Sequence, residues 1–411
     1  MSQVWLAPMV DGSELAFRMM CRKYGATVAY TPMLRAHEIL RQFCCDDVTK
    51  STEEIAVTPS PSRPPEDQPL VVQLCGNDPS ELANAAIQLL SHYKGTLMGI
   101  DLNLGCPQEI AEKENIGAFL AENEPERACQ CIAALKEAVN GRCRVSCKIR
   151  LVSNSSKGNG GKSDGDGDGN SDGDEDGEDD DDVSAATIQF AQRLVAAGVE
   201  LIAVHVRRRE DKHNGPPDLL TAQALVEALD IPVVINGGIS TREQALHVLN
   251  VTRCHAVMVA QGFLTNPRML MEEKKEFHAE QCASMAAEYL DFCEKYRPPT
   301  PYYIRKHLRW IFRSLLQGPS SDAPKKWRRQ WEKEQWRNQM WHYISRSYLT
   351  SLWQFRQVVH LFCLLSFVSE EEQIPVSVAS LEKPSFHSIR FRKGKEHKKR
   401  KDAPYSHQHL N

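Results

Sequence analysis

The chain has 411 residues, 41% of them hydrophobic and 25% charged. That balance suits one large core plus an appendage and excludes a collagen-like, coiled-coil or wholly disordered protein. The net charge of −4 conceals an acidic stretch in mid-chain and a basic C-terminal third. The longest apolar run, residues 358–368, holds a His and a Ser and is about half of a membrane span, so no membrane association is expected. Thirteen cysteines without CxxC pairing, and a start without a charged segment ahead of an apolar one, predict reduced thiols in a cytoplasmic setting, or also a nuclear one. No obligate protein partner is evident.

Residues 4–7 read as a first strand, 13–24 as a helix and 27–30 as a second strand. A Pro-rich stretch, 58–69, reads as a surface loop ahead of a third strand at 70–74 and a helix at 80–92. A fourth strand at 99–103 is followed by a helix at 124–139 that ends near Asn140-Gly141, and 145–149 reads as a fifth strand. Residues 153–182 carry twelve acids against two lysines. This low-complexity stretch is predicted to be a disordered insert. Its alternating aspartates superficially suggest a calcium loop but lack the flanking helices and the glutamate at the twelfth position. Helices at 184–197, 221–229 and 241–249, with Ser184 and Thr241 as N-caps, then alternate with strands at 201–205, 233–236 and 256–260.

Eight strands alternating with helices predict an α/β protein with a (β/α)8 TIM barrel over residues 1–267. A doubly wound open sheet is the alternative, but no GxGxxG follows the first strand. Beyond Pro267 the pattern changes to helices at 269–296, 301–316 and 327–347, which predicts a C-terminal helical domain over 268–368. Residues 369–411 form a polar tail containing RFRKGKEHKKRK. Residues 296–411 hold 22 Lys or Arg against 9 Asp or Glu, which favours an anionic partner, nucleic acid first. A solvated helical surface with a localisation tail is the plainer alternative.

In such a barrel, reactive groups come from the C-terminal ends of the strands. Those positions hold Pro8 and Met9, Gln73, Asn103 and Cys106, Lys148, His205, Asn236-Gly237-Gly238, and Ala260-Gln261-Gly262. Polar residues at the same end of nearly every strand point to a lined site. The Gly-rich turns after the last two strands suit a phosphate, because small residues let backbone N–H groups approach an anion. A thiol of ordinary pKa, about 8.5, is protonated at neutral pH yet can release its proton to a developing carbanion, and Cys106 stands where such an acid is wanted. The other cysteines mostly lie in apolar contexts, as small buried hydrophobes. The Cys44-Cys45 pair lacks the partners of a metal site, and no metal is expected.

Leu-Ala-Pro-Met-Val (6–10), Tyr-Thr-Pro-Met-Leu (30–34), Val-Gln-Leu-Cys-Gly-Asn-Asp-Pro (72–79) and Asp-Leu-Asn-Leu-Gly-Cys-Pro-Gln (101–108) resemble the tRNA-dihydrouridine synthases. Cys-Lys-Ile-Arg (147–150), His-Val-Arg (205–207) and Asn-Gly-Gly-Ile (236–239) continue the match in order. The resemblance covers residues 4 to about 316, and YTPM is similar to the eukaryotic branch acting on positions 16 and 17 of the tRNA D-loop. It implies an FMN-bound barrel, a helical tRNA-binding domain and NADPH (or NADH) as reductant. Uridine would become 5,6-dihydrouridine by a hydride to C6 and a proton from Cys106 to C5.

By the same resemblance, Pro8, Met9 and Gln73 hold the flavin ring and Lys148 places a positive charge beside its N1–O2 edge. His205 lies near the phosphate or ring, and Asn236, Gly237, Gly238, Ala260, Gln261 and Gly262 surround the phosphate. Asn103, Arg150 and Arg207 are expected toward substrate, with Arg305, Lys306 and Arg309 on tRNA. The family's usual His-Gly-Arg is His205-Val206-Arg207 here, which is expected to add bulk beside the flavin. Its frequent Arg is Gln261. Two other readings compete: a flavin-dependent reductase of a free pyrimidine or small enone, and a catalytically silent RNA-binding homologue.

Overall fold

The computed structural model of the chain describes residues 3–44, 64–152, 176–212, 214–271, 279–313, 354–357 and 359. Strands β1 (Val4–Leu6), β2 (Val28–Tyr30), β3 (Leu34–Arg35), β4 (Leu70–Cys75), β5 (Gly99–Leu104), β6 (Arg144–Leu151), β7 (Leu201–Arg208), β8 (Val233–Asn236) and β9 (Ala256–Val259) make one sheet in the order β2-β1-β9-β8-β7-β6-β5-β4-β3. Because β2 also pairs with β4, eight parallel strands close into a barrel. The two-residue β3 is an addition that pairs with the last residues of β4.

The helices are α1 (Leu15–Lys23), α2 (Ala36–Cys44), α3 (Pro79–His92), α4 (Glu109–Lys113), α5 (Ala118–Asn123), α6 (Pro125–Val139), α7 (Asp176–Ala196), α8 (Leu219–Ala228), α9 (Arg242–Thr252), α10 (Gln261–Thr265), α11 (Ala279–Tyr296) and α12 (Pro301–Ile311). Local chemistry sets several of their ends. Asp78 accepts from the N–H groups of Ser80 and Glu81 at the start of α3. Thr241 and Gln244 form a reciprocal capping box on α9, and Asn140 closes α6 in the left-handed conformation.

Alternation along each strand divides the barrel into two surfaces. Leu6, Val72, Leu102, Ile149, Val204, Ile235 and Val257 face outward into the core shared with the helices. Trp5, Ala7, Val28, Tyr30, Val71, Leu201, Ala203, Val234, Ala256 and Met258 face inward and fill the barrel's lower half. Burying side chains of this size stabilises by roughly 1.5–3 kcal/mol each. Toward the C-terminal ends the inward rows turn polar: Gln73, Asp101, Asn103, Ser146, Lys148, His205 and Asn236. The barrel is therefore an apolar plug beneath a polar mouth.

Helices α11 and α12 pack on α1. Glu14, just before α1, is buried; it accepts a hydrogen bond from the Tyr289 hydroxyl at 2.9 Å and pairs with His307 Nε2 at 2.8 Å. The His307 ring stacks on Phe17 with centroids 4.1 Å apart. Burial raises the Glu14 carboxyl, but His307 and the Tyr289 bond outweigh it and hold the group below its ordinary range. Lys306 of α12 reaches the loop after β1, at 3.3 Å from Asp11 Oδ2 and 3.4 Å from the Val10 carbonyl.

Three features differ from expectation. Helix α7 begins at Asp176, inside the stretch predicted to be a disordered insert; acidic composition is compatible with the start of a helix, whose macrodipole is positive there. Ser184 consequently lies within that helix rather than capping it. The long helix expected from 269 begins, among the described residues, at Ala279. Most of the acidic insert, Cys45, the 327–347 helix with its tryptophans, and the basic tail lie outside the described residues.

Candidate active site at the barrel mouth

Cys106 sits two residues beyond β5 and is half-buried. Its short loop is gripped from two sides. Asn103 Oδ1 accepts from the backbone N–H of Gly105 at 3.2 Å and of Cys106 at 3.0 Å. Arg150, on β6, donates from Nε to the Gly105 carbonyl at 2.9 Å and from Nη1 to the Arg208 carbonyl at 3.0 Å. The Cys106 carbonyl accepts from Ala118 N–H at 3.2 Å. Gly117, at φ +64°, lies so close that a Cβ there would stand 2.9 Å from both Cys106 Cβ and the Cys106 carbonyl oxygen. Only glycine fits without strain. The thiol is thus carried by a loop in which the N–H and carbonyl groups of both Gly105 and Cys106 have partners.

Behind Asn103 runs a buried chain of side chains. Asn103 Nδ2 donates to Gln73 Oε1 at 2.9 Å, and Gln73 Nε2 donates to Asp101 Oδ2 at 2.8 Å. Ser146 Oγ donates to Asp101 Oδ1 at 2.7 Å. Strand register aligns them, with Gln73 beside Asp101, Asp101 beside Ser146 and Asn103 beside Lys148. Burial raises the Asp101 carboxyl to about 6, against the bonds from Gln73 and Ser146 and the charge of Lys148. Burial also lowers Lys148 to about 8; Arg150 adds to this, while Asp101 and Cys106 oppose it. Arg150 falls to about 10, chiefly through burial. Several displaced titrations gathered at one end of a barrel are a physical signature of function. Among the other cysteines, burial pushes the Cys75 and Cys131 thiols up to about 12 and Cys143 to about 11.

On the adjoining strand, where His205 is in register with Arg150, His205 and Arg207 project from β7 and are in contact, Nε2 to Nη1 at 3.3 Å. Arg207 also donates to the Gly215 carbonyl at 3.0 Å. The Gly237-Gly238 turn, with φ of +122° and +69°, lies directly against them. A Cβ on Gly237 would stand 2.8 Å from the His205 ring, and one on Gly238 3.1 Å from Pro217. Asn236 donates to the Met258 carbonyl at 2.8 Å, tying β8 to β9. A Cβ on Gly262 would meet the Ile239 carbonyl at 2.7 Å, so the last two turns touch. Met9 is fixed by Ser13, whose hydroxyl accepts from the Met9 N–H at 3.1 Å.

The sequence pattern of the family described as Dihydrouridine synthase matches residues 5–160 and 178–346. The chain belongs to the dihydrouridine synthase family. A tRNA-dihydrouridine(16/17) synthase-like protein of Mus musculus is 33% identical over 314 residues, 76% of this chain and 55% of the relative. A tRNA-dihydrouridine(16/17) synthase of Schizosaccharomyces pombe is 28% identical over 76% of this chain and 69% of its own length. A tRNA-dihydrouridine(20a/20b) synthase-like protein of Mus musculus is 33% identical over 64% of this chain and 67% of its own length. All three names carry NAD(P)+. The chain spans little more than half the length of the mouse 16/17 relative.

In this dihydrouridine synthase family member the residues expected at the site divide into groups. Gln73, Asn103, Cys106, Lys148 and Arg150 share the β4–β6 wall, while His205, Arg207, Asn236, Gly237 and Gly238 share the β7–β8 wall. Ala260 and the exposed Gln261 begin α10. Arg150, expected toward substrate, is buried and committed to two carbonyls. Val206 corrects an expectation: its side chain lies on the outer face, in the core with the helices, because His205 and Arg207 take the inward positions of the same strand. The change from His-Gly-Arg therefore adds no bulk at the mouth. Arg305, Lys306 and Arg309 lie on α12, from which Lys306 reaches Val10 and Asp11 on the loop after β1.

Three features escaped the sequence reading: Asp101, Ser146 and Gly117. An acid inside Gly-Ile-Asp-Leu-Asn was the available signal for Asp101, since an ionisable group amid strand apolars needs partners. Gly117 carried none, because its reason is a contact across the Cys106 loop.

Proposed function

We propose that this chain reduces uridine to 5,6-dihydrouridine in tRNA, at D-loop positions 16 and 17, using FMN with NADPH or NADH as reductant. The observation that carries the reading is the clamped Cys106 loop facing an interior ammonium, in a chain of this family. The mouth fits a flavin mononucleotide. Lys148 supplies a cation suited to the ring's electron-rich edge, the Gln73 and Asn103 amides each keep a second N–H, and the paired positive-φ glycines form a turn without side chains that suits a phosphate. When bound, FMN supplies the hydride that the C5–C6 bond requires at C6.

The chain's own residues do the rest. Cys106 gives its proton to C5, where negative charge develops. Asn103 and Arg150 hold the thiol's loop so that it reorganises little during transfer. Lys148 offsets negative charge in the mouth. A uridine in a folded tRNA must be flipped out to reach this depth, at a cost of a few kcal/mol that contacts elsewhere on the RNA offset. We assign those contacts to the helical region that includes Arg305 and Arg309, and the chain to the cytoplasm or also the nucleus.

The test is Cys106→Ala. Flavin content and tRNA affinity are expected to stay at parental levels while dihydrouridine formation falls at least 100-fold. Normal product yield in the variant would overturn the assignment. Activity on tRNA without activity on free uridine separates this reading from a small-molecule reductase.

A further inference from the structure

We propose that Asp101 is a positioning residue that sets the direction of the hydrogen-bond chain holding the Cys106 loop. The inference rests on the reading of Cys106 as proton donor. A primary amide is ambiguous: rotated by half a turn, it exchanges its donor and acceptor ends with little change in shape. Gln73 and Asn103 are two such amides in series between strands. An ionised carboxylate only accepts, so Asp101 settles the ambiguity. Facing it, Gln73 must present Nε2, which at 2.8 Å it does. The other end of Gln73 must then be Oε1, which accepts Asn103 Nδ2 at 2.9 Å. That leaves Asn103 Oδ1 for the N–H groups of Gly105 and Cys106, at 3.2 and 3.0 Å.

Were Gln73 turned, two NH2 groups would face each other; were Asn103 to turn with it, Asn103 would aim an NH2 at two backbone N–H groups and the loop would lose its hold. The same polarity leaves the second N–H of both amides unused by the chain, so the donors available to a ligand are also set from below. Asp101 is fully buried and lies on the strand before the thiol's turn. It acts on the thiol at two removes, through Gln73 and Asn103. Ser146 fills the other carboxylate oxygen at 2.7 Å, and as a hydroxyl it can reverse from donor to acceptor.

That last property makes the inference separable from a simple need for bulk or charge. In Asp101→Asn the new carbonyl can still face Gln73 while the new NH2 faces Ser146, whose hydroxyl turns to accept. Polarity survives and charge does not. In Asp101→Asn combined with Ser146→Ala the NH2 loses its Ser146 acceptor and the preferred sense of the amides is weakened. In Asp101→Leu the acceptor is gone altogether. The experiment measures two readouts in the full-length protein: the rate of Cys106 alkylation by iodoacetamide, located by peptide mass spectrometry, and single-turnover dihydrouridine formation.

Asp101→Asn is expected to stay within about threefold of the parent in both. Asp101→Leu and the double variant are expected to lose at least tenfold in turnover, with alkylation altered at least threefold and tRNA affinity unchanged. Ser146→Ala alone, with the carboxylate in place, should behave like Asp101→Asn. If Asp101→Leu does not fold, the double variant, which keeps the volume, carries the test. Equal behaviour of the single and double variants, or Asp101→Asn as impaired as Asp101→Leu, overturns the proposal. The alkylation rate reports loop position whether or not Cys106 is the acid, so failure of that assignment shows separately in Cys106→Ala.

Discussion

Replacing Lys148 by Met keeps an unbranched stem in the barrel interior and removes the ammonium. Burial lowers this lysine from 10.5 to about 8, so carrying its charge weakens the fold. At 1.36 kcal/mol per pKa unit, a difference of about 2.5 sets a ceiling of about 3.4 kcal/mol. The residue as a whole is only half-buried, and the solvent this admits screens the charge, which reduces the expected gain for Lys148→Met to about 1–2 kcal/mol at pH 7, a rise in Tm of a few degrees. The pH dependence follows from linkage. Between pH 8 and pH 10.5 the unfolded chain keeps a proton on this lysine that the folded chain has released, so parental stability rises with pH across that window. The advantage of the variant should therefore be full well below pH 8, begin to fall as pH passes 8, and be mostly gone by pH 10. Urea titrations of flavin-free protein at pH 7 and pH 10 measure it, flavin being removed because a ligand stabilises by mass action. The same variant should retain less flavin. A Lys148→Met protein less stable than the parent at pH 7, or an advantage equal at both pH values, would refute the reasoning.

Gly117→Ala forces a Cβ to 2.9 Å from Cys106 at a positive φ. It should cost about 1–3 kcal/mol and lower turnover at least tenfold, checked by urea titration and single-turnover assay. Glu14→Gln should weaken the attachment of α11 and α12 by about 1–3 kcal/mol, seen as faster amide exchange over residues 301–311. Because the Glu14 carboxyl is held low, its contribution is present above the ordinary glutamate value of about 4.3 and is lost as pH falls through the folded value. The variant should lack that part of the acid transition. Arg305→Glu with Arg309→Glu should weaken tRNA binding and flatten its log–log salt dependence, by roughly 0.7–0.9 for each phosphate left unneutralised; filter binding across a salt series reads both.

The amino-acid sequence by itself was enough for the barrel. Runs such as Leu-Val-Val-Gln-Leu-Cys and Leu-Ile-Ala-Val-His-Val have β-branched or apolar residues on both faces, which only a sheet covered on both sides can accommodate. Their spacing by helical segments makes the strands parallel. The polar residue breaking each run near its end marked the mouth, since in this architecture the strand termini converge. Thr241 and Asn140 could be placed because caps depend on residues a few positions away.

What needed the tertiary structure were matters of direction and contact between distant segments. Val206 looked like bulk in the site until strand alternation, set by which neighbours are inside, turned it outward. Arg150 looked like a hand for phosphate, but register brings it under the Gly105 carbonyl, 45 residues away in the chain. His307, unremarked in a basic helix, meets Glu14 across 293 residues. Asp101, Gln73 and Asn103 come from two strands, and which end of each amide points where follows from one acceptor at the bottom of the chain. A short-range pattern can reveal where a side chain lies along its own element; the partner that decides its chemistry arrives from elsewhere in the chain, and only packing selects it.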